Sequence, residues 1–166
     1  MKIIEIAKTY IGKKEKPNNS GFEDPVFESE MITRGWIKGY AWCSLFAELI
    51  ASKAYPEEKE MIKLFHAGAV KTFDNFKEAG YKITTYPVPG SIVVWQHYEN
   101  GLAQWMGHVG IVSDTLSDTM FHSIEGNGSF DGSRNGDRVV EKLRTTQLKR
   151  SGLNIKGFIT IPKLPK

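Results

Sequence analysis

The sequence predicts an α+β fold, in which helices from the first half of the chain pack on an antiparallel β-sheet formed by the second half. Apolar residues recur at helical spacing up to about residue 80, and five short β-branched runs follow from Ser91 onward. Helices that precede the strands, rather than alternate with them, favour an antiparallel sheet. The 166 residues and their 40% hydrophobic content fit one domain with its own core, so residues 1–166 are expected to form a single domain.

Four helices are predicted from apolar residues spaced three or four positions apart. Asp24 followed by Pro25 is typical of an N-cap with proline at the first helical position. Glycines mark the ends, because glycine readily adopts the left-handed backbone that terminates a helix. In chain order the predicted helices cover residues 3–11 before Gly12, residues 24–34 before Gly35, about Trp42 to Lys53, and Val70 to Ala79 before Gly80.

Five strands are predicted where β-branched residues stand between turn-forming residues. The first run follows the turn former Pro87-Val88-Pro89-Gly90. The segment from Gly126 to Gly136 is rich in Gly, Ser, Asn and Asp, and it is predicted to be a long loop beside one end of the sheet. The five predicted strands are Ser91 to Trp95, Val109 to Val112, Met120 to Ile124, Arg138 to Val140 and Gly157 to Ile161.

Charge and hydropathy exclude several classes of function. Glu5 and Lys8 interrupt the first apolar stretch, so no export signal is predicted at this end. No apolar run approaches the ~18 residues that cross a bilayer, so stable membrane insertion is not expected. The net charge of +3 allows weak attraction to polyanionic surfaces but is far from that of a nucleic-acid-binding protein. The single cysteine cannot form an internal disulfide, and its thiol is therefore free for packing or for chemistry.

That cysteine, Cys43, falls in the first turn of the third predicted helix. Unpaired N–H groups and the positive end of the helix dipole favour a thiolate at this position, and a thiolate is the form that acts as a nucleophile. The alternative is a small buried hydrophobic residue, which describes most free cysteines.

A histidine and a carboxylate are predicted to lie close together in the sheet. His108 begins one predicted strand between two glycines, and Glu125 ends the next strand along the chain. An antiparallel hairpin brings the start of its first strand beside the end of its second. Glu125 can then orient His108 and stabilise its imidazolium form, and with Cys43 the three residues constitute a relay for acyl transfer.

Four short motifs contain these three residues and the first predicted strand. They are Ala41-Trp42-Cys43-Ser44, Pro89-Gly90-Ser91-Ile92-Val93-Val94-Trp95, Gly107-His108-Val109-Gly110-Ile111-Val112 and Ile124-Glu125-Gly126-Asn127. The motifs resemble those of the CHAP-type peptidoglycan hydrolases, a family of the papain-like cysteine peptidases and amidases. They stand in the family's order, and the interval of 17 residues between His108 and Glu125 is also similar.

The resemblance implies a papain-like fold and hydrolysis of amide bonds in peptidoglycan, by an endopeptidase or an N-acetylmuramoyl-L-alanine amidase. It implies that Cys43 is the nucleophile, His108 the general base, Glu125 the orienting acid and Asn127 an auxiliary polar residue. No cofactor is implied. Some relatives bind calcium through acidic residues just before the cysteine, but residues 34–42 contain no acid, so no calcium is expected there.

Three further side chains are candidates for substrate contact. Trp42 and Trp105 offer aromatic surfaces beside Cys43 and His108 in the sequence, although tryptophans in a domain of this size often belong to the core. Arg134 is a candidate to bind a substrate carboxylate, with a solvated position in the loop as the alternative. No metal site is predicted, because the spacing of the remaining histidines, His66, His97 and His122, is not that of zinc ligands.

The predicted partner is bacterial peptidoglycan, and a monomer is expected. Without an export signal the protein is expected in the cytoplasm of the producing or host cell until its release. A phage-type endolysin that passes a holin-type pore fits, as does an antibacterial effector paired with an immunity protein. A thiol acyltransferase acting on lipids is less favoured, because no membrane-facing apolar element is visible. A non-catalytic wall-binding or virion structural domain of the same fold is the alternative outside enzymes.

Overall fold

A computed structural model describes residues 1–128 and 136–162. In this part of the chain five α-helices precede six β-strands, which confirms the predicted α+β class. The helices are α1 (Lys2–Lys8), α2 (Pro25–Thr33), α3 (Cys43–Ala54), α4 (Lys59–Ile62) and α5 (Ala69–Glu78), with a 3₁₀ turn at Pro17–Asn19. The strands are β1 (Ile83–Thr84), β2 (Ile92–Glu99), β3 (Leu102–Thr115), β4 (Met120–Gly128), β5 (Arg138–Thr145) and β6 (Gly152–Ile159).

The four predicted helices are present, with shifts at their ends. Asp24 caps α2 because its carboxylate accepts hydrogen bonds from the N–H groups of Val26 and Phe27. The first helix ends at Lys8, about one turn earlier than predicted. Helix α4 was not predicted, because four residues are too few to show a helical period.

The six strands in the described part of the chain form one antiparallel sheet in the order β1-β6-β2-β3-β4-β5. All five predicted strands are longer than the β-branched runs that predicted them, and β1 was missed. Asn100 and Gly101 form the two-residue turn between β2 and β3, both with positive φ, at 50° and 83°. An Asn-Gly turn is a strong hairpin signal, and it would have extended both strands to their true ends.

The loop prediction for Gly126 to Gly136 is partly wrong, because Gly126 to Gly128 belong to β4. Residues 129–135 of that predicted loop lie outside the described residues, and Gly136 precedes β5. A Cβ atom at Gly126 would lie 2.6 Å from the Cβ of Phe46 and 2.7 Å from the Trp42 ring. Only glycine therefore allows α3 to pack this closely against β4, and this contact brings the start of α3 to the end of β4.

The helices cover one face of the sheet. Their apolar side chains form the main core with alternate residues of β2, β3 and β4, among them Ile92, Val94 and Ile124. A smaller buried cluster, which we call the Trp95 cluster, consists of Val93, Trp95, Val112, Phe121 and Phe158. In the described residues no helix has both the length and the apolar character needed to span a membrane.

Candidate active site

Cys43 is the first residue of α3, and Trp42 fixes where that helix begins. The Trp42 side chain is fully buried, and its indole N–H donates a hydrogen bond to Oε2 of Glu15 at 2.9 Å. The indole gives the first N–H groups of α3 no side-chain cap, so they remain available to a negative charge. The N–H of Ser44 hydrogen-bonds to Cys43. The start of α3 therefore stabilises the thiolate form of Cys43.

His108 lies on β3 directly opposite Trp95 on β2, with the two rings 5.5 Å apart. Glycines stand on either side of His108, at Gly107 and Gly110. At Gly107 a Cβ atom would lie 2.2 Å from the carbonyl oxygen of Trp95, and at Gly110 it would lie 2.9 Å from Cγ of Glu125. Because neither glycine carries a side chain, the backbone of Trp95 and the side chain of Glu125 can lie this close to β3.

Glu125 lies on β4 and is completely buried. The predicted antiparallel hairpin is present, with Ile111 paired to Ile124, and Nε2 of His108 lies 2.8 Å from Oε2 of Glu125. Ser123 donates a hydrogen bond to Oε1 at 2.6 Å. Nε2 of His108 faces Glu125, and Cys43 interacts with the same ring by charge and hydrogen bonding, which shifts the pKa of both groups. The structure thus places thiol, imidazole and carboxylate in one row.

The charges in this row support one another. Burial raises the pKa of Cys43, but the positive charge and hydrogen bond of His108 outweigh it, and the net effect is a lowered pKa. Burial lowers the pKa of His108, whereas the negative charges of Cys43 and Glu125 raise it to about 10. Burial raises the pKa of Glu125, and His108 with Arg144 lowers it to about 2. A thiolate–imidazolium pair beside an ionised carboxylate is the favoured state near neutral pH.

We therefore expect alkylation of Cys43 by iodoacetamide to reach its maximal rate well below the ordinary thiol pKa of about 8.5. Replacing His108 by Gln removes the imidazolium. The pH at which the alkylation rate of Cys43 begins to rise should therefore be higher in this variant. At pH 6 the wild-type protein should react at least about tenfold faster than the variant, which corresponds to one pKa unit. Mass spectrometry of the labelled protein measures both rates, and identical pH profiles would contradict the proposed ion pair.

Cys43, His108 and Glu125 line an open cleft with a volume of about 550 Å³. Cys43 is only 5% exposed, and it is one of the residues that line the cleft. Trp105 stands on β3 at the rim, where it is 82% exposed. Asn127 also lines the cleft, with a positive φ of 54°. The predicted catalytic residues and Trp105 therefore share one cavity.

The structure contradicts one predicted substrate contact, and another falls outside the described residues. Trp42 has no exposed surface, because it packs edge-on against Phe22, Phe27 and Phe46 and bonds to Glu15. The prediction that Trp42 binds substrate is therefore wrong, and its role is to hold the start of α3. Arg134 lies outside the described residues.

Arg144 was not predicted to belong to the site, but it binds Glu125 through both carboxylate oxygens. The predicted strand ended at Val140, so Arg144 was never placed beside the acid. The spacing of two between Val140, Lys142 and Arg144 places them on one face of a strand, and this can be seen in the sequence. The register that pairs this strand with β4 cannot. His97 also lines the cleft. Within residues 1–128 and 136–162, no group of three or more His, Cys, Asp or Glu residues could hold a metal ion.

Comparison with protein-family models gives a match to the CHAP domain over residues 35–127, more than half of the chain. The matched segment contains Cys43, His108, Glu125 and Asn127. A search of curated proteins gave no match.

Proposed function

Because the chain belongs to the CHAP domain family, we propose that it hydrolyses amide bonds in bacterial peptidoglycan, with Cys43 as the nucleophile. CHAP domains are typically cysteine- and histidine-dependent amidases or peptidases. The observation that carries the proposal is the row of Cys43, His108 and Glu125 on the wall of an open cleft. A binding module would have no use for a thiol, an imidazole and a carboxylate in hydrogen-bonding contact.

In the proposed reaction the Cys43 thiolate attacks the carbonyl carbon of a peptide-stem or lactyl amide. The N–H groups at the start of α3 stabilise the oxyanion that forms, because no side chain caps them. The C–N bond then breaks, and His108 donates its proton to the leaving amine. A water molecule, deprotonated by His108, attacks the thioester and releases the acid product. Glu125 holds the ring in place and balances its charge throughout.

Trp105 is the proposed binding surface for the sugar or peptide beside the scissile bond. Its indole is the most exposed aromatic side chain among the described residues and stands at the rim of the cleft. An exposed indole binds the apolar faces of ligands by stacking and contributes little to the core.

Replacing Trp105 by Ala should raise KM for sacculus fragments about tenfold and leave kcat within about twofold, because the indole binds without joining the reaction. Leu148→Ala, at an exposed residue away from the cleft lining, is the matched control and should change neither constant. Steady-state kinetics on soluble muropeptides measure both constants. An unchanged KM in Trp105→Ala would remove this residue from the binding surface.

Product analysis tests the reaction itself. Purified sacculi are incubated with the protein, and mass spectrometry identifies the new termini. A free muramic lactyl group indicates an amidase, whereas new termini within the stem or cross-bridge indicate an endopeptidase. Absence of any new terminus, with the fold intact, would favour a non-catalytic wall-binding domain.

For the biological role we propose a phage-type endolysin. The net charge of +3 favours approach to the polyanionic wall, and the open cleft suits a polymeric substrate. Expression in a bacterial cytoplasm should lyse cells only when a holin-type pore is co-expressed. Neutralisation by a dedicated immunity protein would instead identify a secreted antibacterial amidase.

A further inference from the structure

Arg144 completes the set of partners around the buried carboxylate of Glu125. Its Nε donates to Oε1 at 2.7 Å, and its Nη2 donates to Oε2. Ser123 also donates to Oε1, and His108 takes the remaining side of Oε2. Glu125 has no exposed surface, whereas the Arg144 side chain is 25% exposed and reaches it from the cleft. The guanidinium therefore determines how the carboxylate is oriented toward the imidazole.

The guanidinium is itself held in place. It lies over the ring of Trp95, with its central carbon 5.1 Å from the ring centroid. The same indole lies 5.5 Å from the His108 ring and stacks on Phe121. One buried aromatic residue thus supports both the cation and the imidazole, in a geometry that a planar guanidinium can satisfy and a lysine ammonium cannot.

Charge gives Arg144 a second effect. Without it, the buried thiol, neutral imidazole and ionised Glu125 would carry one uncompensated negative charge. Arg144 cancels this charge and keeps Glu125 ionised, so the carboxylate does not compete for the proton that His108 takes from Cys43. In the reactive state negative and positive charges alternate along the row, from thiolate to imidazolium to carboxylate to guanidinium.

We propose that Arg144 is a positioning residue of this site, which orients Glu125 and keeps the transferred proton on His108. The inference rests on the proposed function for its effect on hydrolysis, but not for its effect on the reactivity of the thiol. Arg144 acts through Glu125 and does not need to touch the reacting amide.

The test uses Arg144→Met, which removes the charge, and Arg144→Lys, which keeps the charge but loses the two-point contact. Arg150→Met, at an exposed arginine that does not line the cleft, is the matched control for the loss of one positive charge. Iodoacetamide labelling of Cys43 is measured against pH for each protein, and kcat and KM are measured on muropeptides. Circular dichroism verifies the fold.

For Arg144→Met we expect the acid limb of the labelling profile to move up by at least about one pH unit, or tenfold in rate on that limb. Without Arg144 the pKa of Glu125 rises, so the carboxylate stabilises the imidazolium of His108 less and the thiolate forms only at higher pH. Comparison with Arg144→Lys, which keeps the charge, separates this effect from a loosening of the structure. We expect kcat to fall at least about tenfold with KM unchanged. Arg144→Lys should keep the limb near its wild-type position but recover kcat only in part.

Labelling profiles of Arg144→Met and Arg150→Met that both coincide with the wild type would overturn the proposal. If Arg144→Met fails to fold, Arg144→Lys tests the proposal in its place. A wild-type kcat in Arg144→Lys would show that the two-point contact has no role and would overturn the proposal. A shifted labelling profile in a protein that releases no product from peptidoglycan would preserve the role of Arg144 and reject the proposed function.

Discussion

Hydrolysis of purified sacculi is expected to fall by at least about 10⁴-fold when Cys43 is replaced by Ala, because the covalent step has no other nucleophile. The fold should persist, since the change removes one sulfur at the start of a helix and costs about 1 kcal/mol of unfolding free energy. Trp42 still fixes the start of α3 through its bond to Glu15. Release of new amines from sacculi measures activity, and thermal unfolding measures stability.

Two comparisons make that result specific. Cys43→Ser keeps the shape of the side chain but replaces the thiol by a hydroxyl that stays protonated, so it should be as inactive as the alanine variant. Ser52→Ala lies on the same helix, where the hydroxyl donates to the carbonyl of Leu49, and it should retain wild-type activity. Near wild-type hydrolysis by Cys43→Ala would reject the assignment of the nucleophile.

The parts of the site that could be predicted from the sequence are those set by local rules. Cys43 follows from the start of an amphipathic helix, and the proximity of His108 to Glu125 follows from a hairpin between consecutive strands. Both inferences need only the period of the apolar residues and the order of the elements. The α+β class follows from the same information.

The parts that could not be predicted depend on register and on tertiary packing. Arg144 reaches Glu125 only because β5 pairs with β4 so that Arg144 stands opposite Phe121. A shift of one residue would place Arg144 on the other face, and no local pattern fixes that register. Trp42 was misassigned for a related reason, because its burial depends on three phenylalanines and on Glu15. Proximity to Cys43 in the sequence does not reveal those contacts.

Glu125→Gln is expected to damage both stability and activity. The amide cannot neutralise Arg144 and His108, and one end of it would direct N–H groups at other donors. Breaking a buried ion pair by removing one partner costs about 3–5 kcal/mol of unfolding free energy. Hydrolysis should fall by about 10²–10⁴-fold, because the imidazolium loses its orienting carboxylate. Urea unfolding and product release measure the two effects.

The dependence on pH separates a charged role of Glu125 from a merely steric one. Its pKa is lowered in the fold from 4.5 to about 2, so its contribution to stability is complete above pH 4.5 and is lost as the pH falls toward 2. The difference in unfolding free energy between the wild type and Glu125→Gln should therefore be large at pH 7 and shrink at pH 3. Glu57→Gln, at an exposed glutamate, should show no such difference. A gap of equal size at both pH values would mean that packing, and not the ionised carboxylate held by His108 and Arg144, accounts for the loss of stability.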